Sequence, residues 1–320
     1  PVSTEQDIDS QDYDYAAQFK SLFCAGLVNG WSTNQARVFP AATCYNGLGV
    51  AAYGGSSSIG PTLDNGRCKP DITAPADVTS FSTPQVAGAS AILMQAALRG
   101  DGGSDTNAAF DIRTIKALLL NGAVKPANWT NSNASPLDAR YGAGIVNVFN
   151  SYRQLAGGKQ SFIAATTVAT GGAHPPNGAT ATLGVLNGWD NNSITSGKLP
   201  IQFDAVNHYY FDVTNNAANG AGHFIATATL VWNRQKNQSA INDLNLFLYD
   251  CANSNLVASS ASAVDNVEHL YAPRLAPGRY DLQVWKTGGL GIVSAAETYA
   301  LAWTFEPAAT VTIRNVGTNL

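Results

Sequence analysis

Apolar and polar residues are arranged in two different ways along this chain of 320 residues. Up to about residue 150, short apolar runs close on glycine, as in SLFCAG (21–26) and GLGVAAYGG (47–55), and each predicts a buried strand. Helical patterns lie between and after them. In FDIRTIKALLLNGA (110–123), Ile112, Ile115, Leu118 and Leu119 share one face, and Asn121-Gly122 supplies a C-terminal stop. DYAAQFKSLF (14–23) predicts a further helix ahead of the first strand. The longest apolar run, Val86 to Leu98, predicts a core helix buried in a layered α/β fold; it is shorter than the roughly 20 residues that span a bilayer.

After LAGGKQ (155–160) the texture changes. NHYYFDV, FIATATLVW, LNLFLYD, NLVASSAS, RYDLQVW and TYALAWTF mix apolar and polar positions in strand-length pieces, and turn clusters such as LAPG separate them. That pattern predicts an antiparallel β-sandwich or jelly roll. The expected organisation is therefore an α/β domain over residues 1–157 and an all-β sandwich over residues 158–320.

Composition narrows the function. Hydrophobic residues make up 45% and charged residues 12%, enough apolar content for a sizeable core. Net charge is −4 with no Lys/Arg cluster, which argues against nucleic acid or an anionic membrane as partner. No signal peptide is visible, but the chain opens on Pro1, so removal of an upstream segment is expected. Low charge with abundant Gly, Ser, Thr and Asn suggests a secreted protein. Cys24, Cys44, Cys68 and Cys251 lack the spacing of a zinc site; two disulfides and four free thiols are both open readings. Asn128, Asn133, Asn191 and Asn237 open N-x-S/T sequons and are glycosylation candidates.

The segment entering the long apolar run, TSFSTP (79–84), carries the candidate chemistry. A serine hydroxyl is a poor nucleophile until a base removes its proton and donors stabilise the oxyanion. A helix N-terminus supplies the second requirement through unpaired amides and the positive dipole end. Ser and Thr at such a position serve equally as plain N-caps.

The wider context resembles the subtilase (subtilisin-like serine protease) family. VTSFSTPQVAG (78–88) is similar to the family's G-T-S-x-S/A-x-P-x-V-A-G, with Val78 in place of the first glycine. KPDITAP (69–75), FPAATCYNGLGVAAYGG (39–55), DIRTIKALLLNGA (111–123) and YGAGIVNV (141–148) resemble further family segments in family order. The resemblance covers about residues 15–150. It implies a subtilisin-like parallel sheet whose N-terminal part is missing from this chain. It also implies Ser80 as nucleophile, and Asn29, after the strand LFCAG, as oxyanion donor. The second half resembles the pre-peptidase C-terminal domain through DLNLFLYD (243–250) and APGRYDLQVW (276–285). That resemblance implies an accessory module, with Asp243 and Asp250 as candidate structural Ca²⁺ ligands; no other cofactor is expected.

Two members of the family's triad are missing. Neither the D-T/S-G strand nor the H-G-T-H motif is present, and His174, His208, His223 and His269 all follow Ser80. In subtilisin, losing the serine or the histidine costs about 10⁶ in kcat. Only Ala76 and Asp77 separate Pro75 from Val78, where the family has a long cleft-forming loop. The leading expectation is a serine endopeptidase completed by an N-terminal fragment of the same precursor carrying Asp and His, acting on protein or peptide substrates. The alternative is an inactive subtilase-like protein that binds through its β-sandwich.

Overall fold

The computed structural model describes residues 14–15, 20–28, 38, 41–63, 65–198, 201–214 and 222–308. Three short parallel strands, β1 (Cys24–Gly26), β2 (Leu48–Gly54) and β3 (Ile72–Ala76), form a sheet in the order β1-β2-β3. Helices follow: α1 (Thr79–Arg99), α2 (Thr106–Phe110), α3 (Ile112–Asn121) and α4 (Val148–Ala156). The single helix expected from Phe110 starts instead at Ile112, and Phe110 ends a separate short helix before it. Asp111 caps α3 by accepting from the Arg113 amide. The helix expected at 14–23 falls largely outside the described residues.

Nine further strands make two antiparallel sheets. One has the order β10-β7-β12-β5, from Val267–Leu275, Phe224–Trp232, Ala296–Pro307 and Asn187–Thr195. The other runs β4-β6-β11-β8-β9, from Ala164–Ala169, Phe203–Val213, Gly278–Lys286, Leu244–Asp250 and Leu256–Ser260. Tyr209, Phe211, Leu230, Trp232, Leu246, Leu282, Leu301 and Trp303 fill the space between the sheets. The arrangement is thus a mixed α/β part with a β-rich part.

The two parts share a core. The four-stranded sheet turns its other face, with the small residues Thr229, Ala300 and Ala302, toward α3. Val231, Val267, Ala300, Ala302 and Trp189 pack in one cluster with Leu93, Ile115, Leu118 and Leu155. Short side chains on β7 and β12 let the helix approach closely. Trp189 Nε1 also donates to the Leu155 carbonyl at 3.0 Å. α3 is consequently buried on all sides, beyond the single face that its sequence pattern predicts.

A buried ion cluster locks β3 to α3. Asp71 accepts from Lys69 Nζ at 2.5 Å and pairs with Lys116 Nζ at 3.1 Å, and its Oδ2 also accepts the Gly49 amide at 2.6 Å. The two ammonium groups are satisfied further by the carbonyls of Cys44, Tyr45 and Gly47. Desolvation works to raise the Asp71 pKa, but Lys116 and Lys69 outweigh it and hold the carboxyl below its ordinary range. Downstream, Gly142 adopts φ 60 where a Cβ would meet the Asp71 carbonyl at 2.4 Å, which is why the YGAG turn can lie against β3.

Candidate active site

Ser80 is the second residue of α1, and its side chain is exposed. β3 ends at Ala76 and only Asp77 and Val78 intervene, so the sheet delivers the chain directly into the helix. Gln85 Nε2 ties this turn back to the Pro75 carbonyl at 2.8 Å. Thr79 Oγ1 donates to the Leu27 carbonyl at 2.7 Å, which anchors the helix start to the end of β1. The approach is close: a Cβ on Gly26 would lie 2.8 Å from Thr83 Oγ1 and 3.0 Å from Thr79 Cβ. A side chain at position 26 would push strand and helix apart.

The N-cap of α1, Val78, makes no side-chain cap, and no acidic residue occupies the first turn. The Phe81 and Ser82 amides donate to the Val78 carbonyl, and no acidic side chain in the first turn offsets the positive dipole end. A hydroxyl at this place has backbone donors beside it for a developing oxyanion. The plain capping role open to Ser80 in the sequence is not the one it takes here.

The remaining predicted residues are distributed as follows. Asn29 lies outside the described residues. His174, His208 and His269 are buried within the β-rich part, and His223 is exposed there beside Arg274. His208 is held by Asp281 and Thr166, and His269 by Thr229. No described contact joins any of the four to Ser80. Cavities of about 270, 350 and 330 Å³ are present, and Ser80 lines none of them.

Asp243 accepts from Thr287 Oγ1 at 2.7 Å, while Asp250 accepts from the Ala252 amide and from Asn253 Nδ2. Asp243 thus ties the start of β8 to the residue after β11, and Asp250 closes the turn that follows β8. Among the described residues no group of three His, Cys, Asp or Glu side chains is gathered as a metal site would require. Of the sequons, Asn128, Asn133 and Asn237 are exposed, whereas Asn191 donates to Thr114 Oγ1 at 3.0 Å across the contact between β5 and α3.

Two expectations need correction. The helix carrying Ser80 was expected to be buried, yet Phe81, Ile92 and Leu98 are 66%, 55% and 61% exposed. Only the face carrying Val86, Ala89, Leu93 and Ala97 is covered, because the sheet lies on that side alone among the described residues. The disulfide reading also fails: all four cysteines are free thiols. Burial pushes Cys24 and Cys251 up to about 11 and raises Cys44 and Cys68 as well, so the thiols are poor nucleophiles.

Residues 5–144 match the model of the subtilase family. No curated protein matches the chain. Among solved structures, tripeptidyl peptidase 2 is similar at 12% identity and TM-score 0.33, over 89% of this chain and 32% of that one. The chain thus spans about a third of that enzyme. The pre-peptidase C-terminal domain of a collagenase from Bacillus anthracis is similar at 14% identity and TM-score 0.18, over 46% of this chain and 92% of that one. A serine protease of Aeromonas sobria is similar at 12% identity and TM-score 0.21, over 72% of this chain and 44% of that one. With TM-scores this low, these likenesses establish neither fold nor function. The segment similar to the subtilase family, residues 5–144, carries the serine motif at the head of α1.

Proposed function

We propose that this chain is the serine-bearing part of a subtilisin-type endopeptidase, with Ser80 as nucleophile and with Asp and His supplied by a segment or chain outside it. The observation that carries the reading is the position of Ser80: exposed, at an uncapped helix N-terminus, and delivered there by β3. In the acyl-transfer cycle, Ser80 Oγ attacks the peptide carbonyl, and the incoming histidine takes the hydroxyl proton and returns it to the leaving amine. The amides at the head of α1 hold the oxyanion, with Asn29 as the proposed side-chain donor. Water then releases the acyl group by the same steps in reverse.

Two features support completion by another segment. The outer face of α1 exposes a long apolar stripe, and β1 is an edge strand with no neighbour on its other side among the described residues. A strand followed by a helix would cover both at once. The proposed setting is extracellular, with glycans at the exposed sequons.

The test is active-site labelling with a fluorophosphonate. The chain is incubated alone, and again after coexpression with an upstream segment bearing an H-G-T-H-type histidine. Labelling at Ser80 only in the second sample, abolished by Ser80→Ala, is the expected result. Stable co-purification without any labelling would instead support the inactive reading, in which the sandwich acts as a binding module.

A further inference from the structure

The outer face of the five-stranded sheet holds a second hydroxyl, imidazole and carboxylate in series. Thr166 on β4, His208 on β6 and Asp281 on β11 lie on three neighbouring strands. Thr166 Oγ1 is 2.7 Å from His208 Nε2, and His208 Nδ1 is 2.7 Å from Asp281 Oδ2. A carboxylate only accepts, so the imidazole carries its proton on Nδ1. With the imidazole neutral, Nε2 is the acceptor and the threonine hydroxyl donates to it. That is the polarity of a nucleophile oriented on its base, with the base oriented by an acid.

The surroundings fix these roles. Asp281 and His208 are fully buried, while Thr166 is half-buried and so retains access to solvent. Gln283 Nε2 donates to the same Asp281 oxygen at 2.7 Å, which leaves Oδ1 with no hydrogen-bond partner. The Tyr210 ring lies parallel to His208 with centroids 5.9 Å apart, and Asn177 holds the Tyr210 hydroxyl through two hydrogen bonds. His174 is buried against Trp285, with its Nε2 3.8 Å from the buried Asp204 carboxylate. Burial lowers its pKa, and the Asp204 carboxylate partly offsets that shift.

We propose that Thr166, His208 and Asp281 form a second hydrolytic site, independent of Ser80, that cleaves small carboxylic esters. Thr166 Oγ1 bonds to the ester carbonyl carbon as its proton passes to His208 Nε2, and the carbonyl electron pair moves onto oxygen. Collapse breaks the bond to the alkoxy oxygen, which leaves as the alcohol with the proton from His208. Water then attacks the acyl-threonine by the same route, releasing the carboxylic acid and restoring the hydroxyl. The half-buried position of Thr166 limits the site to small acyl groups.

The experiment uses the full chain carrying Ser80→Ala, which separates this site from the proposed peptidase. Steady-state hydrolysis of p-nitrophenyl acetate is followed, and acid-quenched protein is mapped by peptide mass spectrometry for an acetyl group on Thr166. The expected result is turnover in Ser80→Ala and an acetyl-Thr166 peptide. Adding Thr166→Val should lower the rate by about 100-fold or more, and Thr166→Ser, which keeps a hydroxyl, should recover much of it. Equal rates in Ser80→Ala with and without Thr166→Val would overturn the proposal. So would the absence of acetyl-Thr166 from the quenched Ser80→Ala protein, a reading that needs no further variant to fold.

Discussion

Helices α1 and α3 have similar raw material and opposite fates. Both are rich in Ala, Leu and Ile, yet α3 is buried on every side, including its lysine and its terminal asparagine, while α1 leaves a full-length stripe in water. The difference lies in what each helix has beyond the small parallel sheet. α3 has the face of the four-stranded sheet against it; α1 has no second layer among the described residues. An apolar sequence earns burial only where a partner surface exists, and the uncovered helix is the one that presents Ser80.

The largest expected effect concerns the charged side of α3. Asp71→Asn would leave the Lys69 and Lys116 ammonium groups buried without their counter-charge, at a cost of about 3–5 kcal/mol in denaturant unfolding. A loss below about 1 kcal/mol would show that α3 tolerates an open charge. Next, Leu118→Ala should cost about 2–5 kcal/mol, because both surfaces around α3 are packed. The matching change on the outer face of α1, Ile92→Ala, should stay within about 0.5 kcal/mol. If the two substitutions cost the same, α1 is covered in solution and the contrast between the helices is wrong.

Two pH effects are smaller. The Asp71 carboxyl is held below its ordinary value, so its contribution is complete above the unfolded carboxylate pKa, near 4, and is lost as pH falls through the lower folded value. Acid unfolding of Asp71→Asn should lack that component. Lys125 lies against the Trp129 ring, where desolvation pushes its ammonium down to about 7. Between about pH 7 and 10 the unfolded amine keeps a proton that the folded amine has released, so stability should rise with pH across that window. Thermal melts of Lys125→Met over the same window should be flatter than those of the unchanged chain.

Much of this was readable in the residues, and the failures have physical causes. Strands β6, β7, β8, β11 and β12 follow the expected pieces because their inner positions are large and apolar. β5 escaped notice because NGWDNNSIT is polar, and its polarity is absorbed by specific partners. Asp190 accepts from the Tyr209 hydroxyl at 2.7 Å, and Asn191 reaches Thr114. β10 hides a buried Glu268 whose carboxylate is satisfied by Ser260 and the Ser262 amide. Such strands are defined by long-range pairing that no local period records. The position of Ser80 was legible because a motif fixes it; the Thr166–His208–Asp281 series was not, since its members are 42 and 73 residues apart and meet only through sheet register.

The shared core between α3 and the four-stranded sheet bears on how the molecule melts. A chain of two textures invites the picture of two modules on a tether, each absorbing heat at its own temperature. Here Val231, Val267, Ala300 and Ala302 are part of the same packed cluster as Ile115 and Leu118, so neither half can loosen without stripping the other. Scanning calorimetry should therefore record one endotherm, with calorimetric and van't Hoff enthalpies in agreement.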